Sequence, residues 1–215
     1  MQGHFDREKA VVKGLDSVNH TLQSVINMVT ATKPLQPTLW RTCRVLANRV
    51  RLQMLMAVFR QPGQTVSAVA VRSNLPLSVA SAYLRALEAR GLLVARRVGR
   101  QVNYRPASAE AATPGAEIAA ALKSVFRNEN VPVETIFKLA TAFTHPRRAE
   151  IFRAIHAKPR TLLEIQTFTG ISIPALVRHL RKLESRGFAG CHSGYYVAIR
   201  RADALGRKLA QIAVA

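Results

Sequence analysis

The chain has 215 residues, 48% of them hydrophobic, and carries 32 lysines and arginines against 12 acidic residues, a formal net charge of +20. That length is generous for one small domain and comfortable for two, each able to bury a modest core. No apolar run approaches the roughly eighteen residues of a membrane span, and scattered single carboxylates with no glycine-rich phosphate loop argue against an enzyme. No cofactor is expected.

The positive charge is not spread evenly. Residues 1–40 carry a net +1, residues 41–110 a net +10 from twelve arginines and no lysine, residues 111–140 balance, and residues 141–215 carry a net +9. A GC-rich genome explains arginine in place of lysine but not two charged blocks with near-neutral connectors. A polyanionic partner is the better account, nucleic acid being the commonest one, and double-stranded DNA is the partner expected. The N-terminal MQGHFDREKAVVKG shows no secretory pattern, so a cytoplasmic, nucleoid-associated location is expected. Cys43 and Cys191 form neither a metal spacing nor a disulfide framework, although a single bridge between them stays open.

In chain order, Val11, Leu15, Val18, Leu22, Val25 and Val29 form a short heptad seam on an N-terminal amphipathic helix. The seam predicts either a homodimer through residues 11–29 or packing on the chain's own body. A proline-containing linker follows. Short helices are then predicted over Trp40–Ala47 and Arg49–Arg60, with Thr65 capping a third. After the turn Ser73-Asn74-Leu75-Pro76 comes a fourth helix, with Ser78 as its expected N-cap and Ala80, Leu84 and Leu87 at core spacing. Gly91 ends it. A hairpin follows, with strands at Leu92–Val94 and Val102–Tyr104 joined across the basic stretch Arg96–Arg100. Helices are also expected over Ala116–Arg127, Glu134–Phe143 and Asp203–Ile212.

A second block repeats the first at an offset of 96 residues. Arg51 pairs with Arg147, Leu55 with Ile151, Phe59 with Ile155, and Thr65 with Thr161. The run Leu84-Arg85, Leu87-Glu88, Arg90-Gly91 recurs as Leu180-Arg181, Leu183-Glu184, Arg186-Gly187. The second hairpin, Phe188–Ile199, has only Ser193-Gly194 at its tip. The expected fold is mainly α with small β-hairpins: tandem winged helix-turn-helix domains plus the N-terminal amphipathic helix. The expected division is residues 1–35 for the N-terminal helix and linker and 36–106 for the first winged domain. Residues 107–133 form a linker with a connecting helix, and 134–215 the second winged domain with its C-terminal helix.

The segments Leu46–Leu55, Ser81–Leu84, Leu87–Leu92 and Gly99–Tyr104 resemble the early helices, recognition helix and wing of ArsR-type winged-helix repressors. The second block resembles them through Arg147, Val177–Leu180 and Leu183–Gly187, with a shortened wing. The resemblance implies a DNA-binding transcriptional regulator. Members that sense metals carry a thiolate pair in the helix before the recognition helix, but here that helix reads Thr65–Ala70 with no soft ligand, so thiolate metal sensing is not expected.

A recognition helix in the major groove would present Ser78, Val79, Ser81, Ala82, Tyr83 and Arg85 from the first block. Arg96, Arg97 and Arg100 of the wing would meet phosphates or a minor groove. From the second block the readers would be Ala175, Arg178, His179, Arg181 and Lys182. Cys43, next to Arg44, is either a thiol sensor or a buried inert cysteine. The alternative function is a tandem winged-helix architectural or replication-associated protein with low sequence specificity. Operator, effector and the sign of regulation are not written in the sequence.

Overall fold

The computed structural model describes residues 38–111, 113–128 and 131–215. The N-terminal helix, its heptad seam and the homodimer through residues 11–29 therefore lie outside the described residues.

The first half runs α1 (Leu39–Leu46), α2 (Arg49–Arg60), β1 (Gln64–Thr65), α3 (Val66–Arg72), α4 (Leu77–Glu88), β2 (Leu93–Val98), β3 (Gln101–Pro106) and α5 (Pro114–Asn128). The second runs α6 (Val133–Ala142), α7 (Pro146–Ala157), α8 (Leu162–Thr169), α9 (Ile173–Glu184), β4 (Ala189–His192), β5 (Tyr195–Ala198) and α10 (Ala204–Val214). The series of four helices, hairpin and closing helix thus occurs twice. Local chemistry sets the starts. Asn48 caps α2 by accepting from the Arg51 N–H at 2.9 Å, and Thr65 caps α3 by accepting from Ala68. Thr161 and Glu164 cap α8 reciprocally, and Asp203 accepts from Gly206 at the start of α10. Ser78 is not a cap. The helix begins two residues earlier than that cap implies, at Leu77, with Pro76 at the cap position, because the fixed proline φ already suits a helix start.

The offset of 96 holds from Thr65 onward but is 97 before it. Asn48 and His145 occupy matching caps, and α2 and α7 each span 12 residues from them. The earlier pairings therefore shift by one: Arg51 with Arg148, Leu55 with Phe152, Phe59 with His156. The cause is the turn, which runs Gln61–Gln64 before Thr65 but only Lys158–Arg160 before Thr161.

The residues from 37 onward cluster as one compact unit, and a single apolar core runs through both halves. Helices of equal rank meet at the junction: α1 packs on α6, and α5 on α10. Leu39, Cys43 and Leu46 of α1 are buried at the spacing of Ile136, Ala140 and Phe143 around α6. An ion pair joins Arg49 to Glu134 at 2.7 Å, with the same guanidinium 4.1 Å from the Phe137 ring centroid. Lys208 reaches Glu117 at 3.3 Å. Both pairs are substantially exposed and add little energy, but they fix register. The second half also carries an edge-to-face cluster of Phe143, Phe152 and Phe188.

Candidate nucleic-acid interface

Helix α4 buries Ala80, Leu84 and Leu87. The opposite stripe is exposed and holds Ser78, Ala82 and Arg85, while Val79, Ser81 and Tyr83 are half-buried along its edges. Helix α9 buries Leu176, His179, Leu180 and Leu183, leaving Pro174, Arg178, Arg181 and Ser185 outward. The two stripes match position for position at the offset of 96. A shallow groove of about 370 Å³ lies along the α9 stripe, lined by Val177, Arg178, Arg181 and Lys182 among others.

One predicted reader is corrected by burial. His179 is only 6% exposed. Its ring packs on that of His145, and its Nδ1 has no hydrogen-bond partner among the described residues. Burial first, then His145 and nearby arginines, lower its pKa to about 4, so it is a neutral core residue at physiological pH. Ala175 is half-buried and packed against the core at the flank of α9, and its counterpart Val79 is half-buried at the flank of α4. Tyr83, the counterpart of His179, also turns inward and lies 5.4 Å from the Arg51 guanidinium. Lys182 is half-buried, and its pKa is lowered by burial and then by Arg186 and Arg148.

The first wing differs from its expected outline. Its strands continue to the tip, so Arg96 and Arg97 lie on β2 and only Gly99-Arg100 form the turn, with Gly99 at φ 59. A two-residue turn opening on a positive-φ glycine matches the right-handed twist of the strands, and so allows pairing this far. Neighbouring residues of a strand face opposite ways. Arg96 therefore shares a face with its partner Asn103 and with the Val94–Arg105 pair, while Arg97 faces the other way beside Val102. Arg96, Arg97, Arg100 and Arg105 are all exposed, and none makes an ion pair among the described residues. Arg105 was missed in the sequence; the strand register is the signal that finds it. The second wing turns through Ser193 and Gly194, both at positive φ, and carries no arginine at its tip.

Cys43 is fully buried, and burial pushes its thiol pKa up, so the sensor reading is corrected to an inert core cysteine. Cys191 is exposed, and both cysteines are free. No cluster of three or more metal-binding side chains occurs among the described residues. No helix among them is long and apolar enough to cross a membrane.

These features define a helix-turn-helix architecture with hairpin wings. A family model described as a helix-turn-helix domain matches residues 143–189, from the end of α6 to the first strand of the second wing. The chain is also similar to the HTH-type transcriptional regulator Rv0324 of Mycobacterium tuberculosis, at 33% identity over 129 residues. That alignment covers 59% of this chain and 54% of the relative, so the chain spans about half the length of the curated relative it matches. Among solved structures it resembles the homodimeric winged helix-turn-helix DNA-binding domain Mb0332 of Mycobacterium bovis, described as a possible ArsR-family transcriptional regulator. There the identity is 34%, covering 43% of this chain and 82% of that one, with a TM-score of 0.32.

Proposed function

We propose that the chain is a DNA-binding transcriptional regulator of ArsR-like type that carries two winged helix-turn-helix readers on one chain. The observation that carries this reading is the pairing of matching outward stripes, ending in Arg85 on α4 and in Arg178 and Arg181 on α9, with the unpaired arginines of the first wing. An exposed helix face lies within reach of base edges in a major groove, and guanidinium groups beside it bind phosphate. Ser78, Val79, Ser81, Ala82 and Tyr83 complete or flank the first reader, and Ala175 and Lys182 the second.

The packing of α1 on α6 and of α5 on α10 supports a pseudo-twofold relation between the halves, since a symmetric dimer of single copies joins like to like. On this reading the first winged domain spans residues 36–106 and the second 134–215, and one chain suffices for a pseudopalindromic site. A thiolate pair for metal sensing is missing from α3, which reads VSAVAVR. Light scattering tests the arrangement: a monomeric mass supports two readers per particle, and a dimer through residues 11–29 gives four.

Titration of fluorescent duplexes at increasing salt tests the function. Binding that touches six or more phosphates weakens about a thousandfold or more between roughly 50 and 200 mM salt. Salt-indifferent binding refutes the proposal. The small side chains Ser78 and Ala82 on the outward face of α4 favour one second reading, an architectural protein of low specificity. Selection of bound genomic fragments separates the two: one enriched motif supports a regulator, and uniform coverage supports the architectural role.

A further inference from the structure

Behind the second wing lies a cleft unrelated to the outward stripes. Helix α7, the end of β5 and helix α10 enclose about 670 Å³, within the size range of small-molecule sites. The apolar surface it offers is that of half-buried Val197, Ala198, Ala210 and Val214, with Phe152 and Ile155 buried beside them. Its rim is cationic: Lys158, Arg200 and Arg207 line it, with His156 beside them, and no carboxylate is among the lining residues. The nearest acid, Asp203, is already committed, to Arg201 at 2.8 Å and to the Gly206 N–H at 2.6 Å. Lys158 and Arg200 are exposed and make no ion pair among the described residues.

The first half provides an internal comparison. His156 stands where that half has Phe59, and there Phe126 of α5 packs edge-to-face on Phe59 with ring centroids 5.4 Å apart. In the second half the imidazole of His156 replaces the Phe59 ring and lies 5.9 Å from the Phe152 ring of its own helix, and cations line the cleft. Core packing alone does not require such a rim, because positive groups with no carboxylate among the lining residues repel one another.

We propose that this cleft binds a small amphipathic anion: an apolar aromatic or acyl body seated on Val197, Ala210 and Val214, with a carboxylate, sulfonate or phosphate head held by Lys158 and Arg200. Charge complementarity selects the head, since a desolvated anion gains charge-assisted hydrogen bonds at a lysine–arginine rim that a neutral or cationic ligand cannot make. The floor selects the body, as polar solutes leave apolar surface uncovered. The cleft also touches the end of the second reader. Arg201, which lines it, donates to the carbonyl of Gly187, three residues past the end of α9, at 3.3 Å. The site goes beyond the DNA-binding reading, because none of Arg85, Arg178, Arg181 or the first wing contributes to it.

The test uses the full chain and two fluorescent probes of the same body. Anilinonaphthalene sulfonate carries the anionic head, and phenylnaphthylamine lacks it. Saturable binding of the sulfonate is expected, with the neutral probe at least about tenfold weaker. The double variant Lys158→Glu/Arg200→Glu should weaken the sulfonate by about tenfold or more while leaving the neutral probe unchanged. Ala210→Phe, which fills the floor, should weaken both. Amide shift mapping with the unaltered protein guards against a folding defect in the filled variant: shifts confined to α7, β5 and α10 support the site, and shifts centred elsewhere overturn it. Equal affinity for the two probes, or sulfonate binding indifferent to the charge reversal, also overturns it.

Discussion

The imidazole of His179 stacks on that of His145, with ring centroids 4.7 Å apart and planes inclined by 37°. Arg148, Arg178 and Arg147 add positive charge around the pair. Burial first, then His145 and these arginines, lower His179 from 6.5 to about 4, and His145 is lowered by burial and then by Arg148, Arg147, Arg178 and Arg44. Between those values the unfolded chain takes up a proton that the folded chain refuses. Stability is therefore full above about pH 6.5 and falls as pH drops toward 4, by no more than about 3 kcal/mol from His179 at ~1.4 kcal/mol per unit. Glu134 and Glu164 run the other way in cause: their depressed values, set by Arg49 and by Thr161, give stability that is present above 4.5 and lost below it. His179→Phe should flatten the urea midpoint between pH 6.5 and 4 and leave the small loss below 4.5 in place. An unaltered slope in the upper window would show that the imidazole titrates normally.

Arg51 and Arg148 anchor the two halves in the same way. Arg51 Nε donates to the Val45 carbonyl at 2.8 Å and Nη2 to that of Arg44 at 3.4 Å. Arg148 donates to the carbonyls of Ala142 and Thr141 and to the Thr144 hydroxyl. Each guanidinium thereby satisfies the terminal acceptors of the preceding helix, and desolvation lowers the pKa of both. A lysine has no planar fork and reaches one acceptor at a time. Arg148→Lys is expected to cost about 1–3 kcal/mol in urea unfolding, with duplex affinity of the folded fraction unchanged. A loss of affinity without a loss of stability would place Arg148 on the DNA instead.

Gly115 and Gly99 should respond to alanine in different ways. A Cβ at Gly115 would collide with the backbone carbonyl of Arg90, at the point where α5 crosses the turn after α4. Backbone cannot yield as a side-chain tip can, so Gly115→Ala should cost about 1–3 kcal/mol or more through overpacking. Gly99 has no neighbour within 4 Å but sits at φ 59. Gly99→Ala should cost only the left-handed penalty, about 1–2 kcal/mol, and leave the core untouched. Hydrogen exchange separates the cases: faster exchange in α5 for the first, and only at the wing tip for the second.

The core was largely legible because its spacing is helical and its breakers are glycines: Ala80, Leu84 and Leu87 are buried as their period requires. The outward stripe was less legible. Periodicity says which residues of α9 leave the core, but His179 sits on the boundary, where it packs against His145, the cap of α7. The one-residue shift in the repeat was hidden for a related reason. Arg51 and Arg147 align by letter, whereas the bonds to the preceding carbonyls select Arg148. Arg105 escaped because a strand's face is set by cross-strand register, and a short basic sequence does not reveal where its turn falls.

The strand register also divides the arginines into groups that duplex binding can distinguish. Arg96 and Arg105 share one face of the first wing, Arg97 lies on the other, and Arg100 sits at the tip. A ribbon laid against DNA presents one face and its tip, so Arg96→Ala, Arg105→Ala and Arg100→Ala should each lower the log–log salt slope by about 0.9 on every duplex tested. Arg97→Ala should change it less. Arg178, nearer the start of α9 than Arg181, is the better placed to reach a base edge. Arg178→Ala is expected to relax discrimination at one base pair by about 1–3 kcal/mol, whereas Arg181→Ala, one turn further along, should reduce the salt slope without changing the preferred sequence. Selection on randomised duplexes measures both quantities. Equal slopes for Arg96 and Arg97 variants would mean that the wing does not lie face-on, and its tip alone would then carry the contact.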